Sequence, residues 1–179
     1  MKARSILVTS AVLAVAIGWY LFRPERLFVD KAVSETLPAA RSGSAGSAIS
    51  RPIVSGRFHS VAHETRGTAT IYELADGRRV LRFSDFETSN GPDVQVYLVA
   101  VPDSSDNDTV RKSEFVHVAG LKGNIGDQNY DLPPGVDLAK YRSVTVWCRR
   151  FAVNFGTAPL ADSQRAGIDQ AGEGIRAED

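Results

Sequence analysis

The chain has 179 residues, 21 of them basic and 21 acidic, so its formal net charge is zero with neutral histidines. That balance, with no basic run interleaved with aromatics, removes the concentrated basic face on which nucleic-acid binding depends. A single cysteine, Cys148, excludes an intramolecular disulfide and a zinc cluster built on several thiolates.

Residues 1–5 form a short basic tail carrying Lys2 and Arg4. Residues 6–22, "ILVTSAVLAVAIGWYLF", contain no charge, and Arg23, Pro24 and Arg26 follow. As a helix rising about 1.5 Å per residue, this run covers roughly 25 Å, near the lower limit for a membrane span. Trp19 and Tyr20 stand where an interfacial aromatic belt falls. A cleaved signal peptide shares the basic start and apolar centre. Cleavage, however, needs small residues just past the apolar run, and Trp-Tyr-Leu-Phe-Arg-Pro occupies that place. The expectation is an uncleaved signal anchor that places the following domain on the extracytoplasmic side, periplasmic or extracellular.

Residues 23–51 include "SETLPAARSGSAGSAISRP", whose Ser, Ala, Gly and Pro bury little apolar surface. They read as a flexible linker. Residues 161–179 are polar and free of aromatics, and read as a disordered tail.

Between them, residues 52–160 are patterned for strands. "GTATIYEL" alternates apolar and polar positions, and "ADGRR" is an Asp-Gly turn that closes a hairpin onto "VLRFSDF". "PDVQVYLVAV", "SEFVHVAGL", "QNYDL" and "SVTVWCRRFAVNF" continue the pattern, separated by Gly, Asn, Asp and Pro clusters. The spacing predicts an all-β unit, an antiparallel sandwich of about seven or more short strands. In "SVTVWCRRFAVNF", Val144, Val146 and Cys148 share one parity, whereas Trp147, Phe151, Val153 and Phe155 share the other. Two adjacent arginines at the crossover, Arg149 and Arg150, predict a bend or bulge in a single strand.

Cys148 is the main candidate for chemistry. Buried cysteine often serves as a small apolar filler. Alternatively, Arg149 or Arg150 lowers its pKa and stabilises a reactive thiolate. Without a Cys-x-x-Cys-His sequence, any haem is held non-covalently, with Cys148 and a histidine as conceivable axial ligands. His59 and His63 lie four apart on an expected strand and share a parity. "PDSSDNDT" lacks calcium-loop spacing and reads as a solvated loop, and "SNGPD" reads as turn chemistry. No Ser/His/Asp set or carboxylate pair emerges, so a classical hydrolase is not supported.

From about Gly56 to Leu160 the chain resembles the DM-thirteen domain family, also called the electron-transfer DM domain. The motifs that carry the resemblance are "GRFHSVAHETRGTATIYEL", "LRFSDFETSNGPDVQVYL", "LKGNIGDQNYDLP" and "YRSVTVWCRRFAVNFGTAPL". The resemblance implies a β-sandwich with its signature cysteine at Cys148. It also implies a redox or electron-transfer role through a naked thiol or a bound group such as haem, acting with a redox partner protein. On that reading Cys148 is the redox thiol or thiolate ligand, Trp147 and His59 border a cofactor, and Arg149 and Arg150 tune the thiol. The competing expectation is a non-catalytic binding or adhesion module of the cell envelope, with Cys148 packed for structure.

Overall fold

The computed structural model describes residues 2–22, 29–38 and 50–162. The N-terminal helix α1 spans Lys2–Phe22. Its side chains are described at Ile6 and at residues 8–20, and over the described residues no helix is long and apolar enough to cross a membrane.

The remainder is a two-sheet β structure. Its strands are β1 (Ala32–Ser34), β2 (Arg51–Arg57), β3 (His59–Ser60), β4 (Arg66–Glu73), β5 (Arg79–Glu87) and β6 (Val94–Val99). A short helix, α2 (Asn107–Lys112), precedes β7 (Phe115–Gly120), β8 (Ile125–Asp131), β9 (Ser143–Cys148), β10 (Val153–Pro159) and β11 (Ala161–Asp162). One sheet runs β1-β8-β5-β4-β2-β11, and the other runs β3-β10-β9-β6-β7. All pairings are antiparallel except β1 with β8.

Alternation explains how the sheets stack. Ile71, Leu81 and Phe83 from the first sheet meet Val96, Leu98, Val144 and Val146 from the second in one core, all without solvent exposure. Side chains of period two present one apolar face per strand, and burying two such faces against each other drives the sandwich. Phe58 lies where the chain passes from β2 in one sheet to β3 in the other. Its ring meets Phe83 edge-on at a centroid distance of 4.9 Å. The Asp-Gly turn forms as expected. Gly77 takes a left-handed φ of 79°, and the Leu74 amide donates to the Arg78 carbonyl at 2.8 Å.

Two expected boundaries shift. Part of the presumed linker is structured, because residues 32–34 pair with residues 125–127 as β1. The polar tail begins as β11, which pairs with Val54 and Ser55 of β2. Residues 23–28, 39–49 and 163–179, the rest of the expected linker and tail, lie outside the described residues.

Side chains secure β1 as firmly as its backbone does. The Glu35 carboxylate accepts from Lys122 Nζ at 2.8 and 3.0 Å and from the Asn129 amide at 2.8 Å. Burial pushes the Glu35 carboxyl up, but Lys122, the Asn129 amide and the nearby Arg82 outweigh it and hold the group below its ordinary 4.5. Arg82 is itself paired with Asp127. A carboxyl lowered by folding contributes stability above its unfolded value and loses that contribution as pH falls through the lowered one. Glu35→Gln should therefore cost about 1 kcal/mol or less at pH 7, since the Lys122 pair is partly solvated. In denaturant titrations over a pH series, the gap from the unaltered protein should close as pH falls from the ordinary carboxyl value through the lowered one.

Candidate functional site

The stretch around Cys148 is a hairpin, which corrects the expected single bulged strand. Residue Cys148 pairs with Val153, residues 149–152 form the turn, and Ala152 takes a left-handed φ of 52°. The crossover of parity follows directly: the chain reverses, and both arginines stand at the exposed turn. A bulge does occur, but farther along. Register slips between Asn154 and Gly156, leaving Phe155 as the extra residue.

Cys148 is the last residue of β9 and faces the main core with no solvent exposure. Its cross-strand neighbours are Val94 of β6 and Val153 of β10. Both lie at the rim of the core: Val94 is 9% exposed and Val153 partly buried, whereas Val96 and Val146 are fully enclosed. The thiol thus sits one layer beneath the surface, under the hairpin turn.

Trp147 does not wall this thiol. Consecutive strand residues point to opposite faces, so Trp147 joins Tyr97, Val99 and Val110 in a second cluster beyond the sheet. Tyr97 also stacks on Phe115 at 4.6 Å, and burial raises its phenol above the ordinary value.

Arg149 turns away to Asp93. Its Nε and Nη2 donate to the two carboxylate oxygens at 2.8 and 3.2 Å, and its amide donates to the Asp93 carbonyl at 2.9 Å. The carboxylate raises the Arg149 guanidinium above its ordinary value. Asp93 also accepts from Gln95 Nε2 at 2.7 Å, and Gln95 Oε1 lies 2.8 Å from His117 Nε2. The network Arg149–Asp93–Gln95–His117 latches the turn to β6 and β7. Arg149 follows Asp93 by 56 positions, and no short-range pattern links residues so far apart. The acidic member of "SNGPD" is therefore a tie for the cysteine hairpin, in addition to its place in a turn.

His59 belongs to another part of the fold. Its Nε2 lies 2.9 Å from Asp103 Oδ1, and both side chains are about two-fifths exposed. His63 is not on a strand with His59, because β3 ends at Ser60 and the His63 ring lies against Phe155 at 3.9 Å. The "PDSSDNDT" loop is anchored rather than merely solvated. Ser104 is fully buried, its carbonyl accepting from Asn154 Nδ2 at 2.7 Å and Thr157 Oγ1 at 3.0 Å, while Asp106 caps α2 by accepting from the Thr109 amide.

A haem held between Cys148 and His59 does not fit this arrangement. The thiol is enclosed by core side chains, and the imidazole is engaged by Asp103 at the surface. A cavity of about 650 Å³ opens between residues 29–31, 89–95 and 120–124, and neither cysteine nor histidine lines it. Among the described residues, no group of three or more His, Cys, Asp or Glu side chains is placed to hold a metal.

Enclosure of Cys148 has a direct test. Cys148→Ser buries a hydroxyl among apolar groups and should cost about 1–3 kcal/mol. Cys148→Ala removes one heavy atom and should cost about 1 kcal/mol. Equilibrium denaturation should rank serine as the more damaging replacement, an order that a solvent-facing cysteine would not produce.

No curated protein and no solved structure matches the chain. The family described as electron transfer DM13 matches residues 57–160, which embrace β3–β10 and the whole cysteine hairpin. With more than half of its length matched, including strands of both sheets and Cys148, the chain belongs to the electron transfer DM13 family.

Proposed function

We propose that the chain is a membrane-held, extracytoplasmic electron-transfer domain in which Cys148 is a guarded thiol, reactive when the β9–β10 hairpin opens. The observation that carries this reading is the position of Cys148. It ends its strand under a four-residue turn, between the two rim residues Val94 and Val153; Asp93 latches the start of that turn through Arg149, and Arg111 Nη2 donates to the Ala152 carbonyl at its end at 3.0 Å. Release of the 149–152 turn with the adjoining end of β9 exposes only that segment and requires less free energy than global unfolding.

Opened, the thiolate attacks one sulfur of a disulfide in a redox partner protein. The S–S bond breaks, the other sulfur leaves as a thiolate, and Cys148 is held in a mixed disulfide. A thiol from a further protein then resolves it, restoring the Cys148 thiolate and carrying away the new disulfide. Arg149 serves this chemistry as part of the latch, and Arg150 lies beside it in the turn.

Membrane attachment through α1 is part of the same proposal. Ile6, Val8, Val12, Leu13, Val15, Ile17, Trp19 and Tyr20 are each at least half exposed, so the helix presents apolar side chains around its circumference. A helix apolar on all sides needs an apolar surrounding. The order of basic start, apolar run and domain favours the extracytoplasmic side for the domain.

A second reading, a non-catalytic envelope-binding module with Cys148 as packing, is favoured by the complete burial of that side chain. Thiol kinetics separates the two. With a disulfide reagent under native conditions, Asp93→Ala should raise the modification rate of Cys148 several-fold, while the rate in denaturant stays equal to that of the unaltered protein. An unchanged native rate would favour the packed cysteine.

A further inference from the structure

Residues 30–36 lie outside the matched family region, yet the groove that receives them is built from residues inside it. At one end, Asp30 Oδ1 accepts from Asn90 Nδ2 at 2.9 Å and Asn124 Nδ2 at 2.8 Å, and the Lys31 amide donates to Asn124 Oδ1 at 2.7 Å. At the other end, Glu35 meets Lys122 and the Asn129 amide, and the Glu35 carbonyl accepts from Arg82 Nη1 at 2.9 Å. The Glu35 amide donates to the Asp127 carbonyl at 3.0 Å, and Asn129 Nδ2 donates to the Thr36 carbonyl at 2.8 Å.

Between the two ends, the groove is shaped to the incoming backbone. A Cβ on Gly123 would stand 2.2 Å from the Lys31 carbonyl oxygen, and one on Gly126 would stand 2.2 Å from that of Val33. Gly126 also has a φ of 95°, a conformation that other residues avoid. Steric room, backbone pairing and polar partners at both ends coincide on seven residues.

We infer that the β8 edge is a strand-accepting groove for the segment that leads in from α1, and that residues 30–36 are a strap holding the domain directly at the membrane. An extended strand added to an open sheet edge is a recurring mode of peptide recognition, here filled by the chain's own acidic-ended segment. The chain between Phe22 and Val29 spans at most about 25 Å. The domain therefore stands close to the bilayer instead of ranging on the long tether that residues 23–51 would otherwise form. The seated strap contributes Asp30 and Lys31, beside Val29, to the wall of the 650 Å³ cavity. The distance to the bilayer rests on the membrane reading above; the seating of the strap does not.

Hydrogen exchange on the full chain bound to phospholipid vesicles tests this inference, with vesicle flotation of the same samples as the check on attachment. The Lys31 and Glu35 amides should exchange at least about tenfold more slowly than unstructured amides. Gly123→Ala, which obstructs the strap, and Glu35→Gln, which weakens its end, should each speed both amides while Val96 and Val146 keep their protection. Unprotected Lys31 and Glu35 amides in the unaltered chain would overturn the inference, as would protection that survives Gly123→Ala. Failure to float would overturn the membrane reading and the distance drawn from it, while the amide pattern would still decide the strap.

Discussion

The reversal of the chain at residues 149–152 is the constraint from which the site follows. Because β9 turns back on itself one residue after Cys148, the thiol, the indole and the guanidinium are sent in three directions. Cys148 enters the core shared by both sheets, Trp147 enters the cluster behind the second sheet, and Arg149 reaches sideways to Asp93. No arrangement of a flat strand brings adjacent residues onto one ligand, so Trp147, Cys148 and Arg149 do not line a common site. The Asp93 latch, with Gln95 and His117 behind it, joins the turn to the two strands that would have to release it.

Much of the fold could be read from side-chain periodicity. Alternation in residues 69–72, 81–86, 94–99 and 144–148 marks the inward faces, and these are the residues that fill the core. The Asp-Gly turn announced its hairpin because Gly77 needs a left-handed conformation. The cysteine hairpin was missed for a physical reason: its turn holds two arginines, a phenylalanine and an alanine, none of them a usual turn former. Long-range hydrogen bonds and apolar pairing hold Ala152 in its unusual conformation, and neither leaves a local trace in sequence. The same limit hid the Asp93–Arg149 pair and the docking of β1. Composition alone marked residues 23–51 as linker, yet six of the residues involved, Asp30, Glu35, Arg82, Lys122, Asn124 and Asn129, find one another across long separations.

Two devices of the same kind thus flank the functional region. One is a latch over the only cysteine, and the other is a strap that brings the entering chain against the β8 edge. Each uses a carboxylate placed against a cation and amide donors, an arrangement that is charge-assisted and directional. Membership in an electron transfer family gives the latched thiol its significance. Its burial keeps the thiol from solvent in the folded domain.

The central claim is that Cys148 becomes reactive by local opening of its hairpin. The most direct measurement is the rate of Cys148 modification by a disulfide reagent as denaturant rises from zero, since each opening carries a slope set by the surface it exposes. Local opening predicts a rate almost independent of denaturant at low concentration, turning upward only as global unfolding takes over. A rate that follows the full unfolding slope from the first increment would contradict the account, for the thiol would then be reached only when the whole domain unfolds.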